Sequence, residues 1–189
     1  MVKIIKIGKN VDFAINLMVS AINENKIFIY PTDTIYGIGG NALSKEVRAR
    51  IDDIKQRSSS KRYSIIVPSK SYIPTLCKIN SYARECLKKY LPGAYTLVFP
   101  LKKEFFGKKD EIGIRMVDLD LLKKAIKKSK TPIITTSINL SGEKPIKAIK
   151  KISKEVLDKV DYVFDYGKIG SGKPSTIIDT IRKEEIKRN

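Results

Sequence analysis

The sequence predicts an α/β fold built on a mixed sheet. Short apolar runs alternate with segments carrying apolar residues at helical spacing, which gives a sheet covered on both faces. The order also departs from a clean βαβ alternation, because the runs 94–101 and 112–116 follow one another with only the charged loop 102–110 between them. Two adjacent strands joined by a loop pair antiparallel, so the sheet is mixed.

Residues 2–7 alternate and predict a strand. Phe13, Leu17, Met18, Ala21 and Ile22 recur at helical spacing over 11–25. A buried strand over 26–30 ends at Pro31, and Ser44 is placed to cap a helix running through Val47, Ile51 and Ile54. That helix delivers Lys55 and Arg57 to Lys55-Gln56-Arg57-Ser58-Ser59-Ser60-Lys61-Arg62, four cations and three hydroxyls with no acid. Further strands are expected at 63–67, 94–101, 112–116, 132–136, 162–164 and 176–181, with helices at 80–91, 118–129 and 153–160. No repeat, linker or composition shift divides the chain, so one domain over 1–189 is expected.

Composition narrows the chemistry. Lys and Arg number 38 against 20 Asp and Glu, a formal charge of +18, which predicts a positive field and attraction to nucleic acid or anionic ligands. The chain contains no histidine, which removes every Ser-His, Cys-His and His-metal mechanism. Cys77 and Cys86 are the only cysteines and fit no zinc spacing; a disulfide framework is not expected, and a reducing, cytoplasmic setting follows. No apolar run reaches membrane length and the N-terminus lacks the apolar core of a signal segment, so no membrane association is expected.

Gly167-Lys168-Ile169-Gly170-Ser171-Gly172-Lys173 satisfies the spacing of a phosphate-binding P-loop, but Pro174 stands where the magnesium-binding hydroxyl belongs. Pro174 also biases Lys173 away from the helix, and Thr176-Ile177-Ile178 favours a strand, so a glycine-rich turn before a strand is the better account.

Three other segments carry polar groups at strand ends, where α/β ligand sites lie. Tyr30-Pro31-Thr32-Asp33-Thr34-Ile35-Tyr36-Gly37 combines two hydroxyls, a carboxylate and a phenol; Thr135-Thr136-Ser137-Ile138-Asn139-Leu140-Ser141-Gly142 is a run of hydroxyls with one amide. Either, taken alone, is accounted for by an ordinary capped turn. Arg115 lies inside the apolar strand Ile112-Gly113-Ile114-Arg115-Met116, where an unpaired cation is costly. It must reach an acid or an anionic ligand, or else sit at an edge with its guanidinium in water. The basic run 55–62 by itself reads first as a solvated loop of a lysine-rich chain, and only second as a polyanion cradle.

Taken in order, these segments resemble the YrdC family of L-threonylcarbamoyladenylate synthases. The family pattern of a strand then P-T-(D/E)-T-x-Y-G-(L/I)-G, K-x-R with a nearby Lys or Asn, P-G-x-x-T-L, G-x-R, S-x-N-x-S-G and (P)-S-T-(I/V)-(I/V)-D is met here by six segments. They are Pro31 to Gly39, Lys55 and Arg57 with Lys61, Pro92 to Leu97, Gly113-Ile114-Arg115, Ser137 to Gly142 and Pro174 to Asp179. The resemblance implies a YrdC-like twisted mixed sheet of about seven strands flanked by helices, with a deep, positively charged cavity. It implies a nucleotidyltransferase that condenses L-threonine, bicarbonate or CO2, and ATP into L-threonylcarbamoyladenylate and pyrophosphate. A separate threonylcarbamoyl transferase complex would use the product on tRNAs reading codons that begin with A.

By the same resemblance Thr34, Arg115 and Ser175 hold L-threonine. Lys55, Arg57, Lys61, Ser137 and Asn139 hold ATP and the departing pyrophosphate, with Lys55 and Arg57 carrying the catalysis, and Arg188 contacts nucleotide as the last residue of a closing I-x-R. Mg2+ would arrive with the nucleotide, and no dedicated metal site is expected. Ser58 and Val117 stand where relatives usually have Pro, and Lys61-Arg62 where Asn-Pro or Lys-Pro is common. The pattern ends near the chain end, as in the family's short single-domain branch. Two competing functions share these features. One is a protein of RNA binding or ribosome maturation that uses the basic surface for tRNA or double-stranded RNA. The other is the carbamate-adenylating domain of hydrogenase-maturation proteins, normally part of a larger chain with zinc-finger cysteines.

Overall fold

A computed structural model of the chain describes residues 2–8, 10–56, 64–105, 110–139, 146, 148–169 and 172–187. Among these residues, ten strands form one mixed sheet. They are β1 (Lys3–Lys6), β2 (Phe28–Tyr30), β3 (Gly37–Gly39), β4 (Ser64–Ile66), β5 (Tyr95–Pro100), β6 (Glu111–Arg115), β7 (Ile133–Ser137), β8 (Tyr162–Asp165), β9 (Thr176–Asp179) and β10 (Glu184–Ile186), in the spatial order β1-β8-β2-β3-β7-β4-β6-β5-β9-β10. The α/β class and the mixed sheet are as expected, and β5 pairs antiparallel with β6.

The expected count of about seven strands is too low. β3 and β10 are the strands that side-chain patterning does not announce. Gly-Ile-Gly has little intrinsic strand preference, yet β3 is held on both sides, by β2 and β7. β10 is exposed throughout and owes its form to a hairpin with β9.

The six helices α1 (Val11–Asn23), α2 (Lys45–Lys55), α3 (Ile73–Leu76), α4 (Ser81–Tyr90), α5 (Asp120–Ser129) and α6 (Lys154–Asp158) cover the two faces unequally. Ile29, Ile38, Ile65, Ile134, Ile114, Leu97 and Ile178 point to one face, against Val47, Ile51 and Ile54 of α2, Ala83 and Cys86 of α4, and Val156 of α6. Phe28, Tyr30, Ile66 and Ile133 point to the other, against Met18 and Ile22 of α1 and Leu122 and Ile126 of α5. Cys77 and Cys86 are both buried free thiols, and burial pushes the Cys77 thiol up to about 12.

Side chains two apart on a strand share a face, so Thr135, Ser64 and Gly113 lie beside Ile133, Ile66 and Arg115 on the α1/α5 side. Thr135 pairs with Ser64, and Ser64 with Gly113. A Cβ on Gly113 would stand 2.4 Å from Ser64 Oγ, so even the smallest side chain would intrude there. The segments 57–63 and 140–145, which carry other parts of the family pattern, lie outside the described residues.

Gly39 shows how closely the central strands approach: a Cβ there would lie 1.8 Å from the Ile134 carbonyl oxygen. Gly39→Ala is therefore expected to destabilise the fold by about 3 kcal/mol, at the upper end of overpacking costs because the obstacle is backbone. Urea unfolding measures this as a lowered midpoint with an unchanged slope.

Candidate active site

The loop 31–36 between β2 and β3 is organised by hydroxyls. Thr32 Oγ1 donates to Ile35 O at 2.6 Å, accepts from Thr34 N at 3.1 Å and lies 2.9 Å from Thr34 Oγ1. A hydroxyl has one proton, and Thr32 spends its own on Ile35 O, so Thr34 donates to Thr32. The lone pairs of Thr34 Oγ1 then accept from Arg115 Nη2 at 3.2 Å.

Arg115, the last residue of β6, is 7% exposed. Its counter-charge is Asp33, with Nη2 2.8 Å from Oδ1; Asp33 Oδ2 accepts from Asp118 N at 3.0 Å. Burial pulls the Arg115 pKa down, and the Asp33 carboxylate opposes the shift. Arg115 Nε is buried without a hydrogen-bond partner among the described residues. The sequence left open an acid, an anionic ligand or an edge in water for this arginine; the structure supplies an acid in a buried site. Val117, the departure from the usual proline, packs in the apolar cluster with α5, so the substitution is absorbed next to the arginine without exposing it.

Ser175 enters the same neighbourhood from the turn before β9. It is buried, and its hydroxyl is 2.7 Å from that of Thr96 on β5. The turn is glycine-rich as expected, with Gly167 and Gly172 at positive φ, values of 78° and 68°; Gly170 and Ser171 lie outside the described residues. Tyr36 ties this turn to the 31–36 loop. Its hydroxyl donates to Gly167 O at 2.8 Å and accepts from Tyr166 N at 3.0 Å, while Gly172 N donates to Thr34 O at 3.2 Å. Burial raises the Tyr36 phenol to about 12, so it stays protonated and able to donate through the neutral range. Tyr36→Phe deletes both hydroxyl bonds with the ring retained. It should cost about 2 kcal/mol in thermal unfolding and raise the KM of the amino-acid substrate several-fold by loosening Ser175.

A second group assembles at the end of α2. Ser44 caps this helix, accepting from Val47 N, and its apolar face is the predicted Val47, Ile51 and Ile54. Gln56, at a φ of 45°, ends it in the left-handed conformation. Lys55 is buried, and its ammonium donates to Ser137 O at 2.6 Å and to Asn139 O in a very short contact. These carbonyls satisfy hydrogen bonds without cancelling the positive charge. Ser137 closes β7 opposite Gly37 of β3. Lys55, Ser137 and Asn139 thus sit at the Gly37/Ser137 end of the β3/β7 pair, whereas Arg115 is level with Ile66 and Ile133 at the other end of β7, and the 31–36 loop reaches it through Asp33 and Thr34.

Six of the predicted site residues, Thr34, Lys55, Arg115, Ser137, Asn139 and Ser175, therefore fall into two clusters. Arg57, Lys61 and Arg188 lie outside the described residues, as do Ser58 and Arg62. Sequence reasoning assigned no role to Asp33, Tyr36 or Thr96, although each stands in one of the quoted segments. Among the described residues no helix is long and apolar enough to cross a membrane.

Comparisons with known proteins identify the family. The Sua5–YciO–YrdC family model, described as "Telomere recombination", matches residues 20–189. A Methanocaldococcus jannaschii protein named putative threonylcarbamoyl-AMP synthase is 40% identical over 82% of this chain and 74% of its own length. A Coxiella burnetii threonylcarbamoyl-AMP synthase is 28% identical over 92% of this chain and 96% of its own. The crystal structure of Pyrococcus abyssi Sua5 complexed with L-threonine superposes with a TM-score of 0.83 at 28% identity, covering 95% of this chain and 54% of that one. The chain thus spans about half the length of the P. abyssi protein. With the family model covering nearly the whole sequence, this chain belongs to the Sua5–YciO–YrdC family.

Proposed function

We propose that the chain is an L-threonylcarbamoyladenylate synthase, joining L-threonine, bicarbonate or CO2, and ATP with release of pyrophosphate. The observation that carries this reading is a buried guanidinium held with Asp33 and the Thr34 hydroxyl, together with a buried ammonium beside Ser137 and Asn139, in a chain with no histidine to serve as a base. Relatives bearing the synthase name and the L-threonine complex of P. abyssi Sua5 support it.

The chemistry needs no enzyme nucleophile. The deprotonated threonine amine captures CO2, forming the N–C bond of a carbamate and releasing its proton to solvent. A carbamate oxygen then attacks the α-phosphorus of ATP in line; the P–O bond to the β-phosphate breaks and pyrophosphate leaves. Such steps are accelerated by positioning and charge neutralisation, and a histidine-free site supplies both. Arg115 takes the threonine carboxylate, with Thr34 and Ser175 completing the amino-acid site. Lys55, with Arg57 and Lys61, neutralises the phosphates; Ser137, Asn139 and Arg188 complete the nucleotide site.

Among the described residues no group of three or more metal-ligating side chains gathers, and a hard cation is well served by phosphate oxygens. Mg2+ accordingly travels with ATP. The adenylate is consumed by a threonylcarbamoyl transferase acting on tRNA. The RNA-binding alternative is not favoured, because Thr34, Arg115, Lys55 and Ser175 are buried rather than displayed on the surface.

The test is pyrophosphate release from ATP with each substrate omitted in turn. Release that requires both L-threonine and bicarbonate is the expected result; release indifferent to either one overturns the reading.

A further inference from the structure

We infer that Asp33 is a positioning residue for the amino-acid site, acting through Arg115 to set which edge of the guanidinium meets the substrate carboxylate. The inference rests on the synthase reading. Its basis is an accounting of donors and acceptors around two side chains that the fold brings together from positions 82 residues apart.

A guanidinium has five N–H groups, two of them on Nη2. Both are spent, one on Asp33 Oδ1 at 2.8 Å and one on Thr34 Oγ1 at 3.2 Å. Nε is buried and has no partner among the described residues, in a side chain more than nine-tenths buried. A buried donor left unsatisfied is costly, and the group that satisfies it best is an anionic oxygen. Asp33 and Thr34 thus hold the Nη2 end, which turns Nε, together with the remaining Nη1 edge, toward the ligand.

Only a carboxylate can do what Asp33 does. Both of its partners are donors: Arg115 Nη2 meets Oδ1, and the Asp118 amide meets Oδ2 at 3.0 Å. Asparagine has the same shape but one acceptor oxygen, so it can serve one partner only and turns its NH2 against the other. The Asp118 contact also fixes Asp33 itself, because it ties the 31–36 loop to the segment that follows Arg115 in the chain. Loss of either acceptor frees the guanidinium to roll about its own stem.

The test compares wild type, Asp33→Asn and Asp33→Glu at a temperature where circular dichroism shows all three folded. Two readouts are used: KM for L-threonine and for ATP in pyrophosphate release, and the Arg115 Nε–H resonance in 15N spectra, assigned by its loss in Arg115→Lys. In wild type, L-threonine should shift that resonance. In Asp33→Asn, KM for L-threonine should rise about tenfold or more with KM for ATP within about twofold, and the L-threonine titration of Nε–H should weaken in parallel. Asp33→Glu, which keeps both acceptor oxygens, should recover part of the loss. A purely structural ion pair would lower thermal stability and leave KM for L-threonine unmoved in the folded protein. An Asp33→Asn enzyme with wild-type KM and titration therefore overturns the inference. If wild type itself shows neither L-threonine-dependent pyrophosphate release nor a shifted resonance, the synthase reading fails and this inference falls with it.

Discussion

Arg115→Ala is expected to raise KM for L-threonine by about 100-fold or more, with a much smaller effect on ATP. Truncating one partner of a buried, hydrogen-bonded charge pair costs about 2–5 kcal/mol, which is roughly a 30- to 5,000-fold effect on the complex. The same substitution removes the counter-charge of Asp33, whose side chain is only 12% exposed, so thermal stability should fall as well. Arg115→Lys separates the two effects. It keeps the charge beside Asp33 but replaces the planar fork with a point charge. Stability should therefore recover further than KM. Steady-state kinetics with L-threonine varied at saturating ATP, together with thermal unfolding of both variants, provides the check.

Lys55→Ala is expected to lower kcat/KM for ATP by about 100-fold or more, the scale set by losing one preorganised charge aimed at a phosphoryl-transfer transition state. The ammonium also donates to the carbonyls of Ser137 and Asn139, so alanine removes a charge and a strap at once. Lys55→Gln distinguishes them, because glutamine can still donate hydrogen bonds but carries no charge. If the charge governs, Gln remains as defective as Ala. If the strap governs, Gln recovers much of the activity.

How far the sequence foretold these features depends on how local their causes are. Helix α2 was legible because its signals are its own: Ser44 as cap, then Val47, Ile51 and Ile54 on one face. The antiparallel β5/β6 pair was legible from two apolar runs with a short charged connection. β3 was not, because nothing in Gly37-Ile38-Gly39 marks a strand; its state is set by β2 and β7 on either side, and its glycine by the Ile134 carbonyl. For β10 the polar Glu184-Glu185 carries no buried face to read.

The site divides in the same way. A cation inside an apolar strand is costly unless an anion or water answers it, so the question that Arg115 poses could be read from the sequence. That Asp33 answers it could not, because the pairing is made by the fold across the whole centre of the sheet. Thr96 and Ser175 meet from positions 79 apart for the same reason. The basic stretch contributes Lys55 to the described site, while Arg57 and Lys61 enter the account through the family pattern alone. Resemblance across six segments supplied what no single segment carried, and the structure adds the network of Thr32, Asp33, Tyr36 and Thr96 behind the named residues.

The most direct test of the account is the identity of the product. Enzyme, L-threonine, ATP, Mg2+ and 13C-labelled bicarbonate are mixed, quenched rapidly and examined by mass spectrometry. The account predicts an adenylate containing one threonine and one labelled carbon, formed together with pyrophosphate and absent when L-threonine is omitted. An adenylate of threonine without the labelled carbon, or pyrophosphate release with no labelled adenylate at any quench time, would contradict it.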